Sequence, residues 1–246
     1  PSCGDETLPF GAVWQCHVQW GGAITNIRFD DLYLGPEAGL DLAEARAKYG
    51  EDIEMEALDE PEVRTAKLLA EGHIVARCAG RMEFGARALG NRSILADPSR
   101  PAVVAHINRM IKQRDFWMPF APAVLGERAE DYVRVPTSLP KPRLSPHMMH
   151  AFDSTERRAD LAAAVHSADQ TARMQTVWKD LNPSFYALIE AFGRKTGRYV
   201  LLNTSFNLHG SPIVTGACDA VEVLLRSGLE YLVVDRWLIR KRARSS

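Results

Sequence analysis

Fourteen residues, GRMEFGARALGNRS from Gly80 to Ser93, bring together three arginines (Arg81, Arg87, Arg92) and three glycines (Gly80, Gly85, Gly90). A guanidinium is a planar fork of donors that matches phosphate and carboxylate oxygens. Glycine lets the backbone turn tightly and come close to a ligand. The combination predicts a site for a multiply anionic ligand. It is not a Walker A loop, because it lacks the Gly-Lys-Ser/Thr ending, and it is not a spaced G-x-G-x-x-G. The competing reading is a glycine-rich hairpin whose arginines cap a sheet edge. In that reading Arg81 or Arg92 pairs with Glu83.

Other polar clusters fall at intervals along the chain. Asn108–Asp115 places Lys112 and Arg114 just before FWMPFAP, and His166–Gln175 carries Arg173 between two apolar segments. In LLNTSFN, an apolar run leads into Asn203, Thr204, Ser205 and Asn207. Arg87, Lys112 and Arg173 are the candidate catalytic cations, and Ser205 is a candidate hydrogen-bond donor to the reacting group. Asn203 and Asn207 suit an amide, since a carboxamide both donates and accepts. Arg81, Arg92, Ser93 and Thr204 are the looser candidates for binding a nucleotide. His166 and Asp169 fit a metal pair less well than a histidine that orients the Arg173 loop.

These residues need a scaffold, and the hydrophobic spacing outlines one. Leu40–Tyr49, Pro61–Glu71, Pro101–Ile111, Asn182–Thr196 and Cys218–Ser227 have helical periodicity. Pro61 suits a first helical turn, and Gly72 suits a helix end. His73–Cys78, Ser93–Ala96, Leu161–Val165, Thr176–Trp178, Tyr199–Leu202 and Tyr231–Val234 are predicted strands, and the prolines of Phe116–Val124 suit an extended edge. Phe116, Trp117 and Phe120 read as core before they read as a base-stacking platform. Val135–Pro146, with four prolines, reads as a loop. The interleaving predicts an α/β or α+β sheet domain. Gly21–Pro36, with its glycines and short apolar runs, reads as a linker with a strand or two. The chain opens without methionine, which is expected of a piece cut from a longer parent.

Composition bounds the partners. The 246 residues are 46% apolar and 25% charged with a net charge of −1, ordinary for a soluble globular protein. No apolar run approaches a membrane span. Cys3, Cys16, Cys78 and Cys218 are scattered, which disfavours a zinc site or disulfide framework and fits a reducing cytoplasm. From Arg77 to Arg114 seven arginines and one lysine face only Glu83 and Asp97, so the basicity is local. A nucleic-acid module would spread such charge in a broad stripe. A third reading is a non-catalytic docking domain.

In order and spacing, PSCGD, GRMEFGARALGNRS, the Lys112 and Arg173 segments and NTSFN resemble the carbamoyltransferase family of antibiotic and nodulation-factor O-carbamoyltransferases. The resemblance runs from Pro1 to about Lys241. It implies two domains: an N-terminal one like the sugar-kinase/Hsp70-like ATPases, of which 1–22 would be the tail, and, after a linker over 23–60, a C-terminal YrdC-like one over 61–242, a twisted mixed α/β sheet with flanking helices. It further implies that the YrdC-like domain uses carbamoyl phosphate and ATP to form carbamoyl-adenylate. The other domain, with a divalent metal, then carbamoylates a hydroxyl. By this resemblance Asp5 would help hold that metal only in company with the N-terminal domain, which is the implied partner. A homodimer is compatible with the resemblance. Two departures stand out: Met118 where many members carry arginine, and a His166-Ser-Ala-Asp169 loop without the usual glycine.

Overall fold

In the computed structural model the described residues are 4–23, 31–112, 118–138 and 144–243. Ten strands and seven α-helices alternate along the chain among them. Eight strands form one mixed sheet: β1 (Ile53–Ala57), β2 (Val75–Cys78), β3 (Arg92–Ala96), β4 (Ala121–Leu125), β7 (Gln175–Val177), β8 (Val200–Ser205), β9 (Tyr231–Val234) and β10 (Trp237–Lys241). Their order is β1-β10-β9-β2-β3-β8-β4-β7, and a separate ribbon pairs β5 (Phe152–Asp153) with β6 (Thr171–Ala172). Only β2–β9 and β4–β7 are parallel. The fold is mixed α/β, a large sheet flanked by helices.

The period of two along each strand assigns the faces. Val75 and Leu95 join Leu201 and Val233 under α3 (Pro61–Glu71) and α6 (Pro183–Thr196), which supply Leu68, Leu69, Phe185, Leu188 and Phe192. Ala76, Cys78, Ile94 and Ala96 face the other way. There they meet Ala45 of α2 (Leu42–Tyr49), Ile107 of α4 (Ala102–Ile107) and Val221 and Leu224 of α7 (Ala217–Arg226). The helix ends obey local chemistry. Asn182 Oδ1 accepts from the Phe185 amide at 3.0 Å, Pro183 opens α6, and left-handed Gly72 and Gly197 end α3 and α6.

Several sequence expectations need correction. The stretch 23–60 is not merely a linker. Ile53, Met55 and Ala57 alternate with Glu54 and Glu56, and this strand, β1, pairs with β10 at the sheet edge. Within 21–36, residues 24–30 lie outside the described residues and 31–36 form no strand. Leu161–Val165 is no strand either: a 3-10 helix, Glu156–Leu161, runs into turns, because three alanines give a strand no β-branched surface to pack. β4 is an inner strand between β8 and β7 and not an edge. It tolerates Pro122 because β7 begins pairing only at Ala123. Residues 139–143 of the proline-rich loop, together with Arg114, Phe116 and Trp117, lie outside the described residues. Phe120 is core. The first helix, α1 (Leu8–Gln19), has no buried residue, and its Phe10 ring meets Phe84 edge-on at 5.1 Å.

The motif is the connection from β2 to β3, and its three glycines adopt φ of 55°, 99° and 115°. Gly90 is the most demanding of them. A Cβ there would lie 2.2 Å from Cδ1 of Phe185, a fully buried ring of α6. Gly90→Ala adds backbone strain to that clash. It is expected to cost about 2–5 kcal/mol of stability, read as a shift in denaturant midpoint at unchanged m-value.

Candidate functional site

A cleft of about 590 Å³ lies where four chain-distant segments meet. Arg87 enters from the motif loop and Arg173 from between β6 and β7. Lys112 comes from a π-helical turn, Asn108–Lys112, that continues α4. Asn207 and His209 follow the end of β8, and Met118, Pro119 and Phe120 precede β4. Arg87 is exposed and makes no hydrogen bond or ion pair among the described residues.

Lys112 is held differently. It is 2% exposed, and its Nζ donates to Ser205 Oγ at 3.0 Å and Asn207 Oδ1 at 2.6 Å. Asn207 Nδ2 donates to the carbonyls of Leu208 and Ser211, and Ser205 Oγ donates to Asn207 Oδ1 at 2.7 Å. Both ends of the Asn207 amide are therefore spent on the protein. The amide expected to meet an amide ligand here holds Lys112 and Ser205 instead. His209 Nδ1 lies 2.7 Å from the Lys112 carbonyl.

Among the described residues one carboxylate shares the cleft. Asp169 accepts from the Thr171 amide at 3.0 Å and its hydroxyl at 2.8 Å, and lies 3.1 Å from His166 Nδ1. The Thr171 hydrogen bonds, the amide's above all, hold its carboxyl below the usual carboxylate range. The pair shapes the turn that delivers Arg173, as the second reading of this loop expected.

The motif's other arginines leave this cleft. Arg92 is 0% exposed. Its guanidinium donates to the carbonyls of Thr215 (2.9 Å), Pro36 (3.0 Å), Gly80 (3.1 Å), Ala79 (3.2 Å) and Asn91 (3.3 Å). Ser93 is equally buried, and its Oγ accepts from the Gly90 amide at 3.1 Å. Both side chains are buried and spent on the protein's own backbone, in place of the nucleotide contacts expected of them. Arg81 binds the carbonyls of Leu34 and Gly35. It lines a separate cleft of about 460 Å³ where Arg77 and Arg81 face Asp31, Glu62 and Asp235. That balance of charge does not suit a polyanion. Among the described residues Glu83 pairs with no arginine side chain; its Oε1 accepts from the amides of Leu89 (2.6 Å), Asn91 and Arg92 (both 3.1 Å) and closes the loop.

Asn203, Thr204 and Ser205 line a smaller recess that shares Arg87, Pro119 and Arg173 with the main cleft. Gln175, missed in the sequence, backs it through a hydrogen bond to Asn203. A buried, strand-borne glutamine leaves no spacing signal by which to find it. Asp5 is exposed in a 3-10 turn, and no cluster of three or more His, Cys, Asp or Glu able to hold a metal occurs among the described residues. The residues around Asp5 thus do not fit a divalent ion by themselves. No helix among the described residues is long and apolar enough to cross a membrane.

Comparison with known proteins gives this geometry a family. The family model described as carbamoyltransferase C-terminus matches residues 66–241. The chain belongs to the carbamoyltransferase C-terminal family. It is 38% identical over 247 residues to the nodulation protein NolNO of Sinorhizobium fredii, covering 100% of this chain and 36% of that protein. It is 36% identical over 173 residues to the 3'-hydroxymethylcephem-O-carbamoyltransferase of Amycolatopsis lactamdurans, covering 70% of this chain and 32% of that one. This carbamoyltransferase C-terminal chain therefore spans only about a third of the length of these curated relatives. Among solved structures, full-length HypF matches at a TM-score of 0.48 and 17% identity over 77% of this chain and 22% of its own. That likeness is too loose to bear on the site.

Proposed function

We propose that the Arg87–Lys112–Arg173 cleft activates a carbamoyl group, converting carbamoyl phosphate and ATP to carbamoyl-adenylate. The observation that carries this reading is the convergence of three cations from separate segments on one concave site, beside the strand-end hydroxyl of Ser205. A volume of about 590 Å³ is within the range that small-molecule sites occupy. Family membership supplies the carbamoyl chemistry, since the cephem relative is named for carbamoyl transfer to a hydroxymethyl group.

In the first step water cleaves carbamoyl phosphate to carbamate and phosphate. A carbamate oxygen then attacks the α-phosphorus of ATP, and pyrophosphate leaves with the bonding electron pair. Both steps crowd anions together, so their main requirement is fixed positive charge and alignment. Lys112, aimed by Ser205 and Asn207, is a point charge for the phosphoryl oxygens. Arg87 is exposed and able to swing onto the incoming phosphate, and Arg173 lines the same cleft from a separate segment. Onward transfer to an acceptor hydroxyl is the proposed use of the product, on a partner domain such as the longer relatives have room for.

The test is to incubate the chain with carbamoyl phosphate and ATP and follow pyrophosphate and carbamoyl-adenylate. The expected result is formation of both, with kcat/KM falling about 10²-fold in Arg87→Ala. Absence of pyrophosphate formation in the unsubstituted chain, or full activity in Arg87→Ala, overturns the assignment.

A further inference from the structure

A water that attacks an acyl group gives up a proton, and the cations of the main cleft are poor groups to take it. Two histidines, His166 and His209, line that cleft among the described residues. His166 is mounted on a closed loop. Its amide donates to the Thr171 carbonyl at 2.8 Å, its carbonyl accepts from the Gln170 amide at 2.9 Å, and Gln170 takes a φ of 59° in the turn. Asp169 Oδ1 accepts from the Thr171 amide and hydroxyl and lies 3.1 Å from His166 Nδ1. Those Thr171 bonds, the amide's foremost, favour the ionised carboxylate. An ionised carboxylate can only accept, so the hydrogen it shares with His166 belongs to Nδ1. The neutral ring therefore carries its lone pair on Nε2. That nitrogen makes no hydrogen bond among the described residues, and the side chain is 35% exposed where it lines the cleft.

His209 also turns Nδ1 to an acceptor, the Lys112 carbonyl at 2.7 Å. A carbonyl fixes a ring but brings no full charge. Taking up a proton beside Arg87, Lys112 and Arg173 adds positive charge to a cationic cleft, and among the described residues only His166 has a carboxylate against its ring to balance it. A carboxylate behind an imidazole both orients the ring and steadies its charged form. We propose that His166 Nε2 is the general base of the water step, and that Asp169 is the positioning residue that fixes its tautomer. The inference rests on the carbamoyl phosphate reading above and gives its first step a proton path. Nε2 takes one proton from water as the water oxygen bonds to the carbamoyl carbon. The bond from that carbon to the phosphate oxygen then breaks, and phosphate leaves with the electron pair and takes the proton from Nε2. The carbamic acid left behind releases its acid proton to solvent, and the imidazole is neutral again.

The experiment separates the water step from the step after it. Pyrophosphate release is followed with ATP and either carbamoyl phosphate or ammonium carbamate, which enters beyond the attack of water. In His166→Ala the carbamoyl phosphate rate is expected to fall about 10²-fold and to recover at least about tenfold in added imidazole. The carbamate rate is expected to stay within about threefold of the unsubstituted chain. Asp169→Asn keeps an oxygen for Thr171 and removes the charge, and is expected to lose about tenfold with carbamoyl phosphate and little with carbamate. A loop role for the pair, acting only through the placement of Arg173, would lower both rates together and give no response to imidazole. That result, or unchanged carbamoyl phosphate turnover in His166→Ala, overturns the assignment of His166. So does imidazole rescue of His209→Ala without rescue of His166→Ala. Where the unsubstituted chain does not use free carbamate, the imidazole response decides, and should His166→Ala fail to fold, Asp169→Asn carries the test. An unsubstituted chain that releases no pyrophosphate from carbamoyl phosphate and ATP overturns the parent reading, and the base with it.

Discussion

Arg92→Met is expected to lower the unfolding free energy by about 3–5 kcal/mol, the largest stability loss of any single arginine substitution in the motif. The side chain has no contact with solvent, and its guanidinium is shared among five carbonyls contributed by residues 36, 79, 80, 91 and 215. Removing it takes the donor from all five carbonyls at once. A domain of this kind is stable by only about 5–15 kcal/mol, so the loss is a large part of the total. Arg92→Lys is expected to give little rescue, because one ammonium cannot replace a flat fork with donors along three sides. Urea denaturation followed by circular dichroism reads the effect. A variant with native stability and weakened nucleotide binding would return Arg92 to the ligand site.

Lys112→Met is expected to cost about 10³-fold in kcat/KM for pyrophosphate release while leaving the fold intact. Methionine follows the lysine stem through the same packing and removes the charge, while Ser205 and Asn207 keep the hydrogen bond between them. Lys112→Arg is expected to stay impaired, since the 2.6 Å and 3.0 Å contacts leave no room for a guanidinium. Activity within about threefold of the unsubstituted chain in Lys112→Met would remove Lys112 from the chemistry.

The sequence singled out the loop and set Arg87 above Arg81 and Arg92, but it could not say where each guanidinium goes. Arg81, Arg87 and Arg92 look alike as letters, and only three-dimensional placement sends Arg87 to the cleft, Arg92 to the interior and Arg81 to a mixed-charge hollow. Helices α3 and α6 were legible because proline, glycine and a 3.6-residue period agree over three turns or more. β1 carried a clear alternation, Ile53-Glu54-Met55-Glu56-Ala57, that its acidic content obscured. Gln175 had no such signal. Its importance comes from the carbonyl behind it and the asparagine beside it, 86 and 28 residues away in the chain.

The register of β3 against β8 has a consequence for biosynthesis. Ser93 lies opposite Ser205, over a hundred residues apart along the chain. Synthesis runs from the N-terminus, so the arginine loop emerges from the ribosome well before the strand that walls its cleft. Until β8 arrives the cations face open solvent, and β3 lacks the neighbour that joins it to the β4 side of the sheet. Pairings of such long separation close slowly and late. In a nascent chain the cleft therefore takes shape only once β8 has joined the sheet.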